Sequence, residues 1–237
     1  MLPKCAGTSR SGYSNRLSNI LKPSFLFLLC LSVITCSSGK RPGYSVTPAE
    51  VLPSHPIFKP ILADAPADLK KFIDGAVAQV GVTRGYDPSY TQLDYPGGDV
   101  SANTGVCSDV LVRAFRTVGI DLQKTVHEDM VRSFSSYPTR WGLKRPDSNI
   151  DHRRVPNLMT YFARQGKSVP ITDNRDDYLP GDIVSWDLGG GIDHIGIVTD
   201  MWSESEKRCL IVHNIGAGAR VEDVLFAWRI TGHYRYF

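Results

Sequence analysis

One cysteine and two histidines are placed so that nucleophilic chemistry could be built from them. Cys107 stands in Gly105-Val106-Cys107-Ser108-Asp109-Val110, where a loop gives way to a helical apolar pattern. His194 opens the run His-Ile-Gly-Ile-Val, and His213 closes Leu210-Ile211-Val212. A thiol attacks a carbonyl as its thiolate, and a helix N-terminus or a neighbouring imidazole can depress its pKa to about 3.5–7.5. First-turn amides are unpaired and point outward, so the backbone N–H groups of Cys107 and Ser108 are candidate oxyanion donors. His194 is then the candidate base and His213 the residue that orients it, a catalytic triad in outline. Singly, each has a plainer explanation: a small buried helix residue, or a histidine at a strand end. Their joint placement points to catalysis.

The elements that must position them can be read from periodicity. Pro66 opens an amphipathic helix with Leu69, Phe72, Ile73, Ala76, Val77 and Val80 on one stripe and Gly81 as its stop. Residues 84–105 carry Asp87-Pro88, Pro96-Gly97-Gly98 and three tyrosines, Tyr86, Tyr90 and Tyr95, and read as a long functional loop. Helices are expected over 107–118, 122–134 and 155–165, with an irregular polar stretch at 137–154. From Asp182 the period changes to that of strands, at 182–188, 194–201, 209–214 and 229–236. Alternation puts His194, Gly196 and Val198 on one strand face, and the glycine there predicts close approach of the helix end that carries Cys107. Helices first and an antiparallel sheet afterwards predict an α+β fold.

The N-terminus reads as an export signal. Lys4, Arg10, Arg16 and Lys22 precede an apolar run from Phe25 to Ile34, too short to span a bilayer, and no acidic residue occurs before Glu50. Residues 1–36 are therefore expected to be a signal peptide, 37–60 a Pro/Ser/Gly-rich tether, and 61–237 a single domain. Cys36 directly follows the apolar run and is a candidate lipidation site, although Thr35 is bulky for the residue before such a cysteine; ordinary secretory cleavage is the alternative. The chain has 27 basic and 24 acidic residues, and four of the basic ones lie in the signal, so the remainder has a net charge of −1. That gives no argument for nucleic acid. Exported proteins form disulfides, so Cys107–Cys209 pairing is a competing use of the cysteine. Asp147-Ser148-Asn149-Ile150-Asp151 resembles a calcium loop only briefly, because His152 and Leu158 stand where Gly and Glu are needed. No metal cluster and no organic cofactor is implied.

The motifs resemble the NlpC-type, papain-like cell-wall cysteine peptidases. Their pattern is a cysteine-serine pair at a helix start, Pro-Gly-Asp before a strand, His-Val-Gly on the next, and a polar third residue, often His. Here these are Cys107-Ser108, Pro180-Gly181-Asp182, His194-Ile195-Gly196 and His213. Tyr95-Pro96-Gly97-Gly98 resembles the family's Tyr-x-x-Gly stretch. More closely, residues 66–237 resemble the bacterial DUF1287 group, through Gly-Val-Cys-Ser-Asp-Val and Asn-Ile-Asp-His-Arg-Arg-Val-Pro-Asn-Leu. Two departures bear on the substrate cleft: Val106 replaces an aspartate and Asp109 replaces a glycine.

The resemblance implies a papain-like NlpC-type core and an exported hydrolase of the periplasm or outer membrane, cutting an amide bond in peptidoglycan or a related peptide through Cys107, His194 and His213. Tyr95, Asp109, Arg153 and Arg154 are candidate substrate contacts, an arginine there suiting a carboxylate. A monomer is assumed. Two other readings stay open: a non-catalytic envelope or cell-wall binding protein, and a thiol-dependent acyl or amide transferase.

Overall fold

The computed structural model describes residues 55–61 and 64–237. The signal peptide read over 1–36, Cys36 with it, and most of the tether lie outside the described residues. The elements are β1 (Ile57–Phe58), α1 (Ala67–Val77), α2 (Cys107–Arg116), α3 (Leu122–Ser133), α4 (Val155–Arg164), β2 (Ile183–Asp187), β3 (Asp193–Ser203), β4 (Arg208–Asn214), β5 (Ala219–Glu222) and β6 (Arg229–Tyr234). The strands form one antiparallel sheet in the order β5-β4-β3-β2-β6, with β1 on β3. The fold is α+β. Two strands lacked a sequence signal: β5 is four alternating residues, Ala-Arg-Val-Glu, and β1 is two. The tether's end is docked on the sheet, with Ile57 opposite Trp202.

The sheet is buried on both sides, and the pleat sorts its side chains. Ile195, Ile197, Leu210 and Val212 face the helices and pack with Phe72, Leu111, Phe115, Leu158 and Phe162. Val184, Trp186, Val198, Cys209 and Ile211 face the other way, under Tyr178, Val224 and Leu225. We call these the helix face and the tryptophan face. The stripe of α1 behaves as the spacing requires, with Phe72, Ile73 and Ala76 fully buried.

Two polar anchors hold the frame. Asp182, from the Pro-Gly-Asp turn, is buried and accepts from His233 Nε2 at 2.8 Å, Arg235 Nε at 2.8 Å and the Leu179 amide at 2.8 Å. It pins the start of β2 to the chain's C-terminal end. The loop over 84–105 is pinned by Arg113, which donates to Asp99 at 2.9 Å and to Thr83 at 3.0 Å.

Candidate active site

Cys107 is the first residue of α2. The turn entering it is fixed by Asp109, whose carboxylate accepts the Val106 N–H at 2.7 Å. The backbone N–H groups of Ile195, Ser108 and Cys107 lie near the Cys107 sulfur and favour its charged form. The two amides expected to serve an oxyanion thus already lie against the sulfur. Ser108 spends its hydroxyl elsewhere, on the Arg153 carbonyl at 2.8 Å. The helix end is wedged against the strand ends by Asn214, whose side-chain amide donates to Gly105 O at 3.0 Å and Gly85 O at 3.1 Å.

The two histidines sit on neighbouring strands and touch. His194 Nε2 lies 2.8 Å from His213 Nδ1, and His213 Nε2 lies 2.9 Å from Glu222 Oε2. Glu222 had no sequence signal, since it follows from the β4–β5 pairing and β5 was unrecognised. The edge of Trp228 at 5.9 Å and Trp186 at 5.7 Å enclose the His194 ring.

Cysteine and histidine reach this place from opposite faces. Cys107 packs with Ile195 on the helix face, while the pleat sends the His194 side chain to the tryptophan face. They are brought together at the strand start, where the amide of Ile195, the residue after His194, lies near the sulfur. No hydrogen bond joins the sulfur to His194 in this structure. His194 Nδ1 has no partner among the described residues. Gly196 also has a different purpose from the one its position suggested. A Cβ there would stand 2.8 Å from Ile211 Cγ2 and 3.1 Å from His213 Cβ. The glycine makes room for His213 and β4, not for the helix end.

Burial decides the charge states. It pushes the Cys107 thiol up to about 12, against the pull of the three amides. Burial also holds His194 well below the usual histidine value, with the His213 charge adding to the effect. The resting pair is a neutral thiol beside a neutral imidazole. Desolvation thus opposes the low thiol pKa expected from a helix end and an imidazolium. Glu222 is held below the usual carboxylate range by its bond to His213. Disulfide formation is overturned, because Cys107 and Cys209 are free and lie on opposite faces of the sheet.

A cleft of about 380 Å³ opens at Cys107, walled by Tyr86, Tyr90, Trp141, Arg154 and Asp193. The Tyr86 hydroxyl lies near the Cys107 sulfur, and desolvation raises its pKa. Tyr86 thus takes the place expected of Tyr95, whose ring instead packs edge-on against His127 of α3 at 5.2 Å. Asp109, expected as a substrate contact, does not line the cleft; Arg153 does line it, with most of its donors already engaged. Arg153 Nε donates to Asp109 Oδ1 at 3.0 Å, and its Nη groups donate to Asp109 Oδ2, Asp87 O and Ser89 O at 2.9–3.0 Å. These two residues, almost wholly buried, neutralise each other and staple the 84–105 loop to α2. Arg154 differs. Its guanidinium lies over the Trp141 ring at 4.4 Å, and its Nη1 is buried without a partner.

With this geometry in hand, relatives of the chain can be placed beside it. The family described as "Domain of unknown function (DUF1287)" matches residues 73–236. This chain belongs to the DUF1287 family. The Escherichia coli (strain K12) protein described as "Uncharacterized protein YijF" is 50% identical over 217 residues, covering 92% of this chain and 99% of that protein. The DUF1287 match spans Cys107, His194, His213 and Glu222 alike. A solved Staphylococcus aureus structure, described as similar to a lipoprotein of the NLP/P60 family, is 12% identical and superposes with a TM-score of 0.35. It covers 77% of this chain and 44% of its own length, so the chain spans less than half of it. A likeness that loose carries no argument about chemistry.

Proposed function

We propose that this protein is an exported cysteine hydrolase that cleaves an amide bond in peptidoglycan or a related peptide. The observation that carries this reading is the hydrogen-bonded chain His194–His213–Glu222, whose free nitrogen belongs to the residue next to the amide that lies near the Cys107 sulfur. A buried imidazole chain ending on a carboxylate orients a base and stabilises the cation it becomes.

His194 Nδ1 takes the Cys107 proton as the sulfur attacks the carbonyl carbon. The Cys107 and Ser108 amides hold the oxyanion. Collapse breaks the C–N bond, and the leaving amine takes the proton from His194. Water then attacks the thioester with His194 again as base, releasing a carboxylate and restoring the thiol. Because the resting thiol is neutral, proton transfer accompanies attack instead of preceding it. Arg154, whose side chain lines the cleft without a carboxylate partner within 4 Å, is the residue suited to a substrate carboxylate. Export, with lipid attachment at Cys36 or ordinary secretory cleavage nearby, rests on the N-terminal residues alone.

The test is mass spectrometry of purified cell wall incubated with mature protein. Wild type releases peptide fragments and Cys107→Ala releases none, with turnover down by at least about 10³-fold and fragment binding retained. Arg154→Gln raises KM more than it lowers kcat. Wild type that binds fragments without product or covalent adduct, and behaves like Cys107→Ala, would identify a binding protein and overturn the proposal. Products joined to an added amine in preference to water would identify a transferase.

A further inference from the structure

The turn Arg140–Gly142 carries a tryptophan into the wall of the cleft. Trp141 is 55% exposed and has a φ of 65°, in the left-handed region that bulky side chains rarely adopt. Exposing an indole and holding such a backbone both cost free energy, and residues of this kind gather at binding sites. Two contacts bracket the turn. Arg140 Nη1 donates to Asp193 Oδ2 at 2.6 Å, which ties the turn to the first residue of β3, next to His194. The Arg154 guanidinium lies over the Trp141 ring at 4.4 Å. Burial lowers the Arg154 pKa against the pull of Asp151 and Asp147, and neither carboxylate comes within 4 Å of it. Both are engaged elsewhere: Asp147 accepts from the Tyr90 hydroxyl at 3.1 Å, and Asp151 pairs with His127 at 2.9 Å. Of the guanidinium nitrogens Nη1 is buried, which leaves Nε and Nη2 as the open donors.

We propose that Trp141 is a positioning residue: its ring fixes the plane of the Arg154 guanidinium, so that the cleft selects substrates bearing a free carboxylate over their amidated forms. This role rests on Arg154 meeting a substrate carboxylate in the proposed hydrolase. A guanidinium meets an aromatic ring with its face and a carboxylate with its edge, so the two contacts do not compete. A free arginine loses rotamer freedom when it binds, whereas one already stacked has lost it beforehand. A carboxamide offers one acceptor oxygen and no charge, and gains little from a guanidinium held ready. The Arg140–Asp193 pair steadies the turn from its other side, and its largely exposed arginine makes that share the smaller one.

The probes are cell-wall fragments with native carboxylates and the same fragments capped with methylamine. Binding is measured in the Cys107→Ala background, where no turnover is needed. Native fragments bind about tenfold more tightly than capped ones. Trp141→Leu keeps apolar bulk without the aromatic face; it weakens native fragments about three- to tenfold and leaves capped ones unchanged, while Trp141→Phe recovers most of the loss. Arg154→Gln abolishes the difference between native and capped fragments, and adding Trp141→Leu to it costs nothing further. Arg140→Gln gives a loss of the same kind, no more than about threefold. With Cys107 restored, Trp141→Leu raises KM for native fragments and spares kcat. Equal weakening of native and capped fragments by Trp141→Leu overturns the proposal, as does additivity with Arg154→Gln, and either result leaves the hydrolase standing. Native and capped fragments bound alike in Cys107→Ala also overturn it. The expected selectivity without any product from the wild-type protein removes the hydrolase and keeps the role of Trp141. If Trp141→Leu does not fold, Arg154→Lys decides, since it keeps the charge without a plane to stack, and native binding undiminished in it counts against the proposal.

Discussion

The two faces of the sheet solve the same problem, burying reactive polar groups, in opposite ways. On the helix face, Asp109 and Arg153 consume each other around Cys107, and the thiol is shut in beneath Tyr86. On the tryptophan face, the groups are strung in a line, His194 to His213 to Glu222. One face pairs opposite charges into a closed unit, while the other links two imidazoles to one carboxylate. In the proposed reaction, the nucleophile would be held in place by satisfied charges and the base oriented by a hydrogen-bonded chain.

The largest effect should come from opening the closed face. Asp109→Ala leaves the Arg153 guanidinium buried without its counter-charge and the Val106 N–H uncapped, and should cost about 3–5 kcal/mol in denaturant unfolding. Asp187→Ala, which removes the partner of the highly exposed Arg229, should cost no more than about 1 kcal/mol. Equal losses in the two variants would abolish the contrast.

Acid probes both faces. His152, fully buried near α2 and α3, is held down to about 4 by burial and by the Arg153 and Arg116 charges. The unfolded chain takes up its proton near pH 6.5 and the folded chain only near 4. Stability is therefore complete above pH 6.5 and falls by roughly 3 kcal/mol as pH drops through that window, at about 1.4 kcal/mol per unit. His194 is depressed too and adds loss of the same sign. His152→Gln should remove the helix-face share of the slope and leave that of His194. A stability curve flat from pH 7 to pH 4 would contradict both.

The smallest effect compares one thiol from each face. Cys107 is pushed up to about 12 and Cys209 to about 11, in both cases chiefly by burial. Iodoacetamide should label both slowly near neutral pH, with Cys209 ahead by up to about tenfold through its larger thiolate fraction. Rapid labelling of Cys107 at pH 6 would mean that the resting site holds a thiolate and would reverse the electrostatic account.

Much of this was legible in the sequence, for physical reasons. The helices of Phe72 and Phe115 announce themselves through apolar period, and His194 and His213 through their positions on apolar runs. Glu222 was not legible, because cross-strand partners depend on register and β5 is too short to carry a pattern. Tyr86 and Tyr95 share one loop, and only the loop's path chooses between them. Arg153 and Arg154 are adjacent, identical in type and both line the cleft, yet one is locked to Asp109 and the other lies over Trp141. Their separation is a matter of backbone direction. Burial was the least legible quantity: the rule that a helix end acidifies a thiol fails at Cys107 because solvent is excluded from the same spot.

The two residues of β1 have a consequence for reach. They clasp β3 at Met201 and Trp202, while His194 stands at the other end of that strand. At about 3.3 Å per residue its 11 residues span roughly 35 Å. A force entering through β1 therefore acts on the end of β3 remote from His194 and is borne first by the β1–β3 pairing.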